Sequence, residues 1–446
     1  MADPEPVDIL LSPAGGGDAT DTDPTIADAA RREIDAAAAA GTPPPPSAPA
    51  AYTIIAFVNP SSGGRRGAKV LLVLRELLGP DAVYDIKADG GPGRGLDAVS
   101  GAAPPPAPSA AVAAAAAGER SVVRVRAFVA GGDGTFSWVA SVVEARGLSH
   151  VALAPIPLGS GNDISRALGW GVKYPGSSAL PTLVEYFRGR EVVRERLLDV
   201  WRVSVTGVSS VASSTSVDAG GASHTARPVM VNYISFGVDA AVELAFNEQR
   251  WRHPDRYKTR GGNLTAHLTL GAKHVLVGSK MTTAAFLESV TVDGVEVSVP
   301  PRTQSLIILN IPSYGGGTQP WGFPNARAAR KRGHTPMTVD DGRFEVLALP
   351  NLAHYTLLRM RVPAMRLAQG RVAVVRLRSG VRCPAQVDGE PWAQEGGVVT
   401  IRAGAEGEEV SVEEGEDGRR GRGQVAAVPG PRWHERRRAN AKFSIE

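Results

Sequence analysis

The chain has 446 residues and a formal net charge of +4, so it has room for two domains and no strong overall charge of the kind typical of nucleic-acid-binding proteins. A single cysteine, Cys383, excludes an internal disulfide framework and zinc sites built from several cysteines. No apolar run approaches the ~18 residues that span a bilayer, and the acidic start "MADPEPVDILL" lacks the order of a signal peptide, so we expect a soluble intracellular protein.

Several segments have the composition of chain outside a folded core. Residues 1–50, rich in Ala, Gly, Pro and Asp, predict a low-complexity leader. The stretches 102–119 and 209–226 predict surface loops. Residues 406–446 are rich in arginine and poor in apolar residues, which predicts a basic disordered tail. The tail is either merely solvated or in contact with anionic membrane, with RNA a third partner considered.

Between these segments a strand, a glycine loop and a helix follow one another three times. The strands "YTIIAFVNP", "VRVRAFVA" and "VALAPIPL" are followed by the loops "SSGGRRG", "GGDGT" and "GSGND", and each loop precedes a helical pattern. This repetition predicts an α/β domain over residues 51–198, with helices packed on a parallel sheet. Ligands of such sheets bind beyond the carboxyl ends of the strands, where the three loops gather.

The pattern changes at about Asp199. Short strands separated by Gly, Asp or Pro turns predict a mostly antiparallel β-rich domain over residues 199–405. Helical stretches are few in this part and centre on residues 240–275 and 353–360.

The three loops predict a nucleotide site, because backbone N–H groups and helix N-termini attract phosphate. The chain contains no G-x-x-x-x-G-K-[ST] motif, which excludes a P-loop enzyme. Asp133 lies within "GGDGT", where a carboxylate would repel phosphate unless it has another role. It can hold a magnesium ion carried by ATP or accept a proton from an attacking hydroxyl. A residue that only stabilises a tight turn is the third interpretation.

A longer series of motifs then points to a family. "GGDGTFSWV", "PIPLGSGNDISRALGWG", "NYISFGVDA", "LNIPSYGGGTQPWG", "DDGRFEV" and "QVDGEPW" resemble the diacylglycerol kinases in order and rough spacing, from about Phe57 to Trp392. The similarity is greatest to the compact plant type without cysteine-rich lipid-sensing domains. It implies a phosphofructokinase-like first domain, a β-sandwich accessory domain and an active site in the cleft between them.

The resemblance also implies an activity and its site. The expected reaction transfers the γ-phosphoryl group of ATP, with Mg²⁺, to the hydroxyl of diacylglycerol, giving phosphatidate for lipid signalling and phospholipid metabolism. Matched by motif, Asn59, Ser62 and Gly63 form the first ATP loop. Gly131, Gly132, Asp133, Gly134 and Thr135 form the second, with Asp133 at the ATP-bound magnesium. Gly159, Ser160, Gly161, Asn162 and Asp163 form the third.

Four further carboxylates are candidates. Glu390 in "QVDGEPW" is the candidate general base, and Asp388 can serve with it because alternate residues of an extended strand share a face. A plain hairpin turn is the competing interpretation, and whether Asp133 or Glu390 takes the proton stays open. Asp340 and Asp341, as soluble bacterial relatives suggest, can supply a structural magnesium site, although an Asp-Gly hairpin turn is the favoured interpretation.

The substrate defines the expected surroundings. Diacylglycerol lies in membranes, so we expect a cytoplasmic enzyme that contacts anionic lipid peripherally and binds no nucleic acid. A sphingosine, ceramide or NAD kinase on the same scaffold is one alternative. A catalytically silent membrane adaptor is another, and the sequence says nothing about oligomeric state or acyl-chain preference.

Overall fold

Two large β-sheets organise the protein in a computed structural model. It describes residues 52–64, 66–100, 125–188, 195–209, 215–217, 223–225, 229–253, 281–322, 333–351, 353–403 and 423–428. The predicted leader, the stretch 102–119 and most of the predicted tail lie outside these residues, as do residues 254–275 of the predicted helical stretch 240–275.

The first sheet has six strands in the order β2-β1-β3-β4-β18-β5. Its members are β1 (Thr53–Val58), β2 (Val83–Asp85), β3 (Val125–Gly131), β4 (Val151–Pro157), β5 (Arg196–Asp199) and β18 (Gln424–Ala427). β1, β2, β3 and β4 pair in parallel, as the repeated strand, loop and helix pattern predicts. The carboxyl ends of β1, β3 and β4 therefore meet at one edge.

Helices cover both faces of this sheet. They are α1 (Arg66–Leu78), α2 (Gly93–Ser100), α3 (Asp133–Ala145), α4 (Asp163–Ala167) and α5 (Leu180–Arg188). Alternate residues of β1 enter different apolar clusters, with Phe57 packed towards Leu96 and Phe136 on one face, and Val58 packed towards α1 and α5 on the other. This alternation follows from the period of two along a strand, and it confirms the α/β class.

The last strand of the first sheet comes from the predicted tail. Residues 424–427 form β18, which pairs in parallel with β4 and antiparallel with β5. Val425, Ala426 and Ala427 are at most 2% exposed, and Trp170 Nε1 donates a 2.6 Å hydrogen bond to the carbonyl of Val428. The prediction of a disordered tail over 406–446 is therefore wrong for residues 424–427, because this uncharged segment completes the sheet.

The second sheet is antiparallel and follows the path β15-β14-β13-β10-β16-β17-β6-β9, with β11 pairing with β16 and β12 with β11. Its strands are β6 (Trp201–Ser209), β9 (Val229–Met230), β10 (Tyr233–Gly237), β11 (Leu287–Val292), β12 (Val295–Glu296), β13 (Ser305–Leu309), β14 (Phe344–Leu349), β15 (Met365–Gly370), β16 (Val372–Val387) and β17 (Glu390–Arg402). Three helices accompany it: α6 (Val238–Arg252), α7 (Thr283–Phe286) and α8 (His354–Arg359).

This sheet folds over its own core. Five strand spacings of ~4.8 Å would put β6 and β14 about 24 Å apart in a flat sheet. The rings of Trp201 on β6 and Phe344 on β14 instead lie 5.0 Å apart, and both belong to one apolar cluster. The two layers expected of a β-sandwich are thus present as two halves of one continuous sheet, which the long strands β16 and β17 connect.

Two smaller features differ from expectation. Within the predicted loop 209–226, the strands β7 (Thr215–Val217) and β8 (Ser223–Thr225) pair with each other. Residues 333–343 contain no strand before β14, so the favoured hairpin at Asp340 and Asp341 is wrong. None of the helices in the described ranges is long and apolar enough to cross a bilayer.

Candidate active site

The three glycine loops lie side by side at the carboxyl edge of the first sheet. Asn59 after β1 reaches the second loop, where its Nδ2 donates to Thr135 Oγ1 at 3.3 Å, and its Oδ1 accepts from the Ser61 N–H. In the first loop Ser62 and Gly63 form a turn, in which the Ser62 N–H donates to the Asn59 carbonyl. A Cβ on Gly63 would lie 3.0 Å from the carbonyl of Leu158, beside the third loop.

The backbone of the second loop packs directly against that of the third. A Cβ on Gly159 would lie 2.5 Å from the Cα of Gly132, a distance that ordinary side chains do not adopt. A Cβ on Gly131 would lie 2.4 Å from Thr135 Cβ. Glycine is thus required for close packing here, and the exposed N–H groups of both loops can face a phosphate chain.

Asn162 holds the third loop in shape. Its backbone adopts the left-handed conformation with φ 54°, which asparagine tolerates better than most residues. Its side-chain amide donates to the carbonyls of Gly159 at 2.8 Å and Val172 at 3.0 Å. The buried Asn162 side chain is therefore committed to the loop, so the amide orders the phosphate-facing backbone of Gly159, Ser160 and Gly161.

Asp133 begins α3 and does not lie in mid-loop. Its Oδ1 accepts the backbone N–H of Ile164 at 3.0 Å, which ties α3 to the third loop. Burial, followed by the negative charge of Asp163, raises the pKa of Asp133 to about 7, although backbone N–H donors oppose this shift. A nearby cation would stabilise the ionised form of this buried carboxylate.

Asp163 joins the two domains. Its Oδ1 accepts from Ser313 Oγ at 2.5 Å and its Oδ2 accepts from the Gly316 N–H at 2.9 Å, both in the loop after β13. A Cβ on Gly161 would lie 2.9 Å from Asp133 Oδ2 and 3.4 Å from Asp163 Oδ2. The two carboxylate oxygens therefore border one small space, which Gly161 keeps free of a side chain.

Asp388 makes a second connection between the domains. Its Oδ2 accepts from Ser137 Oγ of α3 at 2.7 Å and from the Val231 N–H at 2.8 Å. Its Oδ1 accepts the N–H groups of Asn232 at 2.7 Å and Tyr233 at 3.0 Å. Burial raises the pKa of Asp388 in spite of these donors.

The expected relation between Asp388 and Glu390 is wrong. Val387 pairs with Glu390, and the two residues between them form a tight turn with φ 50° at Asp388 and 88° at Gly389. Two positive φ values are typical of a type I′ hairpin turn, so the two carboxylates do not share a strand face. The "VDGE" hairpin is confirmed, and it presents Glu390 to the cleft.

Glu390 lies above the first turn of α3. A Cβ on Gly134 would be 3.6 Å from Glu390 Oε1, which places this carboxylate beside the residue that follows Asp133. Its side chain is solvent-exposed, and the described residues give it no hydrogen-bond donor. Desolvation by the surrounding protein raises the pKa of Glu390. The Arg250 guanidinium opposes this shift, and the negative charge of Asp388 adds to it.

The structure adds residues that sequence reasoning missed. Burial raises the pKa of Glu243 on α6 to about 7, and its charged neighbours include Arg250, Glu390 and Asp239. Glu243 lies four residues after Asp239 of the quoted motif "NYISFGVDA", so the helical spacing from that carboxylate was the available signal. Arg250, near the end of the same helix, has its charge close to Glu243 and Glu390.

Asp340 and Asp341 belong to another location. Asp340 accepts from Arg196 Nη2 at 3.1 and 3.2 Å, and Asp341 Oδ1 accepts from the Arg343 N–H at 3.0 Å. Burial raises the pKa of Asp341. Among the described residues, no three His, Cys, Asp or Glu side chains are grouped so as to hold a metal ion. The magnesium site at Asp340 and Asp341 stays a prediction.

Comparison with known proteins identifies both domains. The diacylglycerol kinase catalytic domain matches residues 53–186, and the diacylglycerol kinase accessory domain matches residues 229–391. Diacylglycerol kinase 1 of Oryza sativa subsp. japonica is 30% identical over 383 residues, which cover 76% of this chain and 74% of that protein. The chain belongs to the diacylglycerol kinase family.

Other relatives of this kinase differ in how much of their length it spans. Diacylglycerol kinase 5 of Arabidopsis thaliana is 29% identical over 383 residues, covering 77% of the kinase and 73% of the relative. Eye-specific diacylglycerol kinase of Drosophila melanogaster is 32% identical over 359 residues, covering 79% of the kinase and 22% of the relative. The family and the kinase class indicated by the motifs are thus confirmed.

Proposed function

We propose that this kinase transfers the γ-phosphoryl group of ATP to the hydroxyl of diacylglycerol and so forms phosphatidate. The observation that carries the proposal is the convergence of three glycine loops, Asp133, Asp163 and Glu390 at one edge of the parallel sheet. Phosphoryl transfer requires mainly alignment and neutralisation of charge, with little covalent participation by protein. The site contains the groups for both tasks.

The loops bind the phosphates of ATP. Their glycines leave backbone N–H groups exposed, and α3 begins at the second loop with its partial positive charge directed at the cleft. These loops are held in position by contacts of Asn59, Ser62, Gly63 and Thr135, and by the backbone that Asn162 orders. Proper placement of the γ-phosphate lowers the barrier because the reacting groups are already aligned.

The space beside Gly161 would accept a magnesium ion. Asp133 Oδ2 and Asp163 Oδ2 both face it, and magnesium is commonly bound by one or two carboxylates, phosphate oxygens and water. When bound there with ATP, the ion neutralises charge that develops on the transferred phosphoryl group. Asp133 supplies the main carboxylate, while Asp163 divides its role between this space and the loop after β13.

Glu390 accepts the proton of the lipid hydroxyl. Its carboxylate is exposed to the cleft, and its raised pKa makes it a stronger base than an ordinary glutamate. Asp133 is directed instead towards backbone donors and the cation space. Asp388 holds the Glu390 hairpin against α3 and acts as a positioning residue.

The lipid substrate requires contact with a membrane. Diacylglycerol has too little polar surface to leave a bilayer freely, so the kinase acts at the interface as a peripheral protein of the cytoplasm. The arginine-rich segment 429–446 and exposed apolar residues of the second domain are the candidate contacts. Asp340 and Asp341 are kept as a second, structural magnesium site.

The test is phosphate transfer by purified protein to diacylglycerol in mixed micelles, with sphingosine, ceramide and NAD as competing acceptors. We expect magnesium-dependent phosphatidate formation, a loss of at least about 100-fold in kcat for Glu390→Gln, and a comparable loss for Asp133→Ala. The Glu296→Ala variant, at an exposed position on β12, serves as the control for a carboxylate outside the cleft. Transfer to sphingosine, ceramide or NAD in place of diacylglycerol would show that the substrate is a different one. A folded protein that phosphorylates none of these acceptors would favour a catalytically silent membrane adaptor.

A further inference from the structure

We propose that residues 357–365 form a membrane-docking segment, which inserts the apolar side chains of Leu357, Met360, Val362 and Met365 into the surface of an anionic phospholipid bilayer. This inference rests on the proposed function, since it explains how a lipid substrate reaches the cleft. The segment covers the end of α8, the turn after it and the start of β15.

The segment exposes an unusual amount of apolar surface. Met360 is 71% exposed and Val362 is 42% exposed, and Leu357 and Met365 are the other large apolar side chains exposed here. Of the five exposed large apolar side chains in the described residues, four lie within these nine positions. Exposed apolar side chains clustered in this way along the chain mark a contact surface more often than a chance feature of a folded protein.

The segment is held firmly from behind. Leu358 and Ala364 are buried in the cluster that includes Trp321 and Leu349. The Ala364 N–H donates to the Pro320 carbonyl at 2.8 Å, and the Val362 N–H donates to the Leu357 carbonyl at 3.0 Å. The exposed side chains are therefore presented by an ordered turn, so little conformational entropy is lost when they enter a bilayer.

The charge of the segment fits anionic lipid. Arg359 and Arg361 alternate with the exposed apolar residues, and both are exposed. Between residues 346 and 387 the chain has no aspartate or glutamate, and its arginines there are Arg359, Arg361, Arg366, Arg371, Arg376, Arg378 and Arg382. Apolar side chains at the acyl boundary with arginines at headgroup level are the arrangement that adsorbs proteins to anionic membranes.

The segment is also attached to the active site. Tyr355 on α8, five residues before Met360, donates a hydrogen bond to the Gly315 carbonyl. The next residue, Gly316, donates its N–H to Asp163 in the cleft. Docking through this segment brings the bilayer surface beside the entrance of the cleft, so diacylglycerol can reach Glu390 while its acyl chains stay in the membrane.

The first experiment measures binding to vesicles of phosphatidylcholine with 30% phosphatidylserine and without diacylglycerol. We expect the double variant Met360→Glu/Val362→Glu to bind at least about tenfold more weakly, because carboxylates are repelled by the bilayer. Val295→Glu is the matched control, since Val295 is 67% exposed on the β11–β12 hairpin outside the segment. Equal binding of the double variant and the wild type would overturn the proposal.

The second experiment separates docking from catalysis. With a short-chain diacylglycerol below its critical micelle concentration, the double variant should keep the kcat/KM of the wild type. On vesicles containing long-chain diacylglycerol, its rate should fall at least about tenfold. An equal loss on both substrates would overturn the proposal, because the segment would then act on the site itself. A wild type inactive on both substrates would refute the proposed function, while the vesicle-binding result still decides the docking segment.

A third comparison identifies the partner. Arg359→Glu/Arg361→Glu should abolish the preference for phosphatidylserine over pure phosphatidylcholine. If Met360→Glu/Val362→Glu instead converts a dimer of the wild type into a monomer, with vesicle binding unchanged, the surface joins two copies of this chain and the lipid proposal fails.

Discussion

Asp388 provides the sharpest quantitative test of how the two domains are held together. Asp388→Ala removes the acceptor of four hydrogen bonds, three from backbone N–H groups and one from Ser137. Each buried donor left without a partner costs about 1–3 kcal/mol. Burial raises the pKa of Asp388 even with these donors present, so part of their energy offsets desolvation of the carboxylate. We therefore expect a loss of ~3 kcal/mol in the free energy of unfolding, at the low end of the range for breaking a buried charged contact.

The assay is equilibrium urea unfolding, followed by tryptophan fluorescence at pH 7.5. Ser137→Ala is the matched control, because it removes one of the four donors and leaves the carboxylate with the other three; a loss of about 1 kcal/mol is expected. A free energy of unfolding within ~1 kcal/mol of wild type for Asp388→Ala would refute the assignment of Asp388 as a structural link. Normal stability combined with lost kcat would identify it as a second base.

Three further predictions concern the sheet, the cation space and pH. Ending the chain before residue 423 removes β18. Thermal unfolding should then show a free energy of unfolding lower by more than about 4 kcal/mol, or no folded protein at all. As a control, ending the chain after residue 430 should leave the melting temperature unchanged. Gly161→Ala should lower kcat at least about tenfold with little change in stability, because its Cβ meets Asp133 Oδ2 at 2.9 Å. Gly93→Ala, at the start of α2 and outside the cleft, meets only the end of the Arg146 side chain at 3.2 Å and should keep activity near that of wild type in the same assay. Burial raises the pKa of Asp133 to about 7, so its carboxylate becomes protonated as pH falls below 7. The magnesium concentration needed for half-maximal activity should then rise about tenfold per pH unit. If that concentration is the same at pH 8 and pH 6, Asp133 does not hold the ion.

The first domain was readily predictable because its information is local. The strand, glycine loop and helix recur within short stretches, so period and turn residues are enough to predict a parallel sheet with its loops at one edge. Gly131, Gly132 and Gly159 are required where the loops meet, which agrees with their placement by motif. The antiparallel second domain was predictable for the same reason, from alternating apolar residues and Asp-Gly turns.

The connections between domains were not predictable, because they join residues far apart in the chain. Asp163 contacts Ser313 across 150 positions, and Asp388 contacts Ser137 across 251 positions. Periodicity contains no information about such pairs. The roles of both carboxylates therefore became clear only from the hydrogen bonds that they accept.

β18 shows the same limit in another form. The composition of residues 406–446 is that of a charged solvated tail, and four residues, "QVAA", are too few to change that average. Their partners, β4 and β5, lie more than 220 positions earlier. Trp170, which donates to the Val428 carbonyl, gives no sequence signal of that partner.

The return of the chain to the first sheet affects how the protein is made. β4 emerges from the ribosome roughly 270 residues before β18, a delay of about 15–50 s at usual rates of synthesis. During that interval the nucleotide-binding sheet has a gap between β4 and β5, and the two edges that border it are unpaired. The parallel sheet that carries the glycine loops is therefore completed only after the accessory half of the chain has been synthesised.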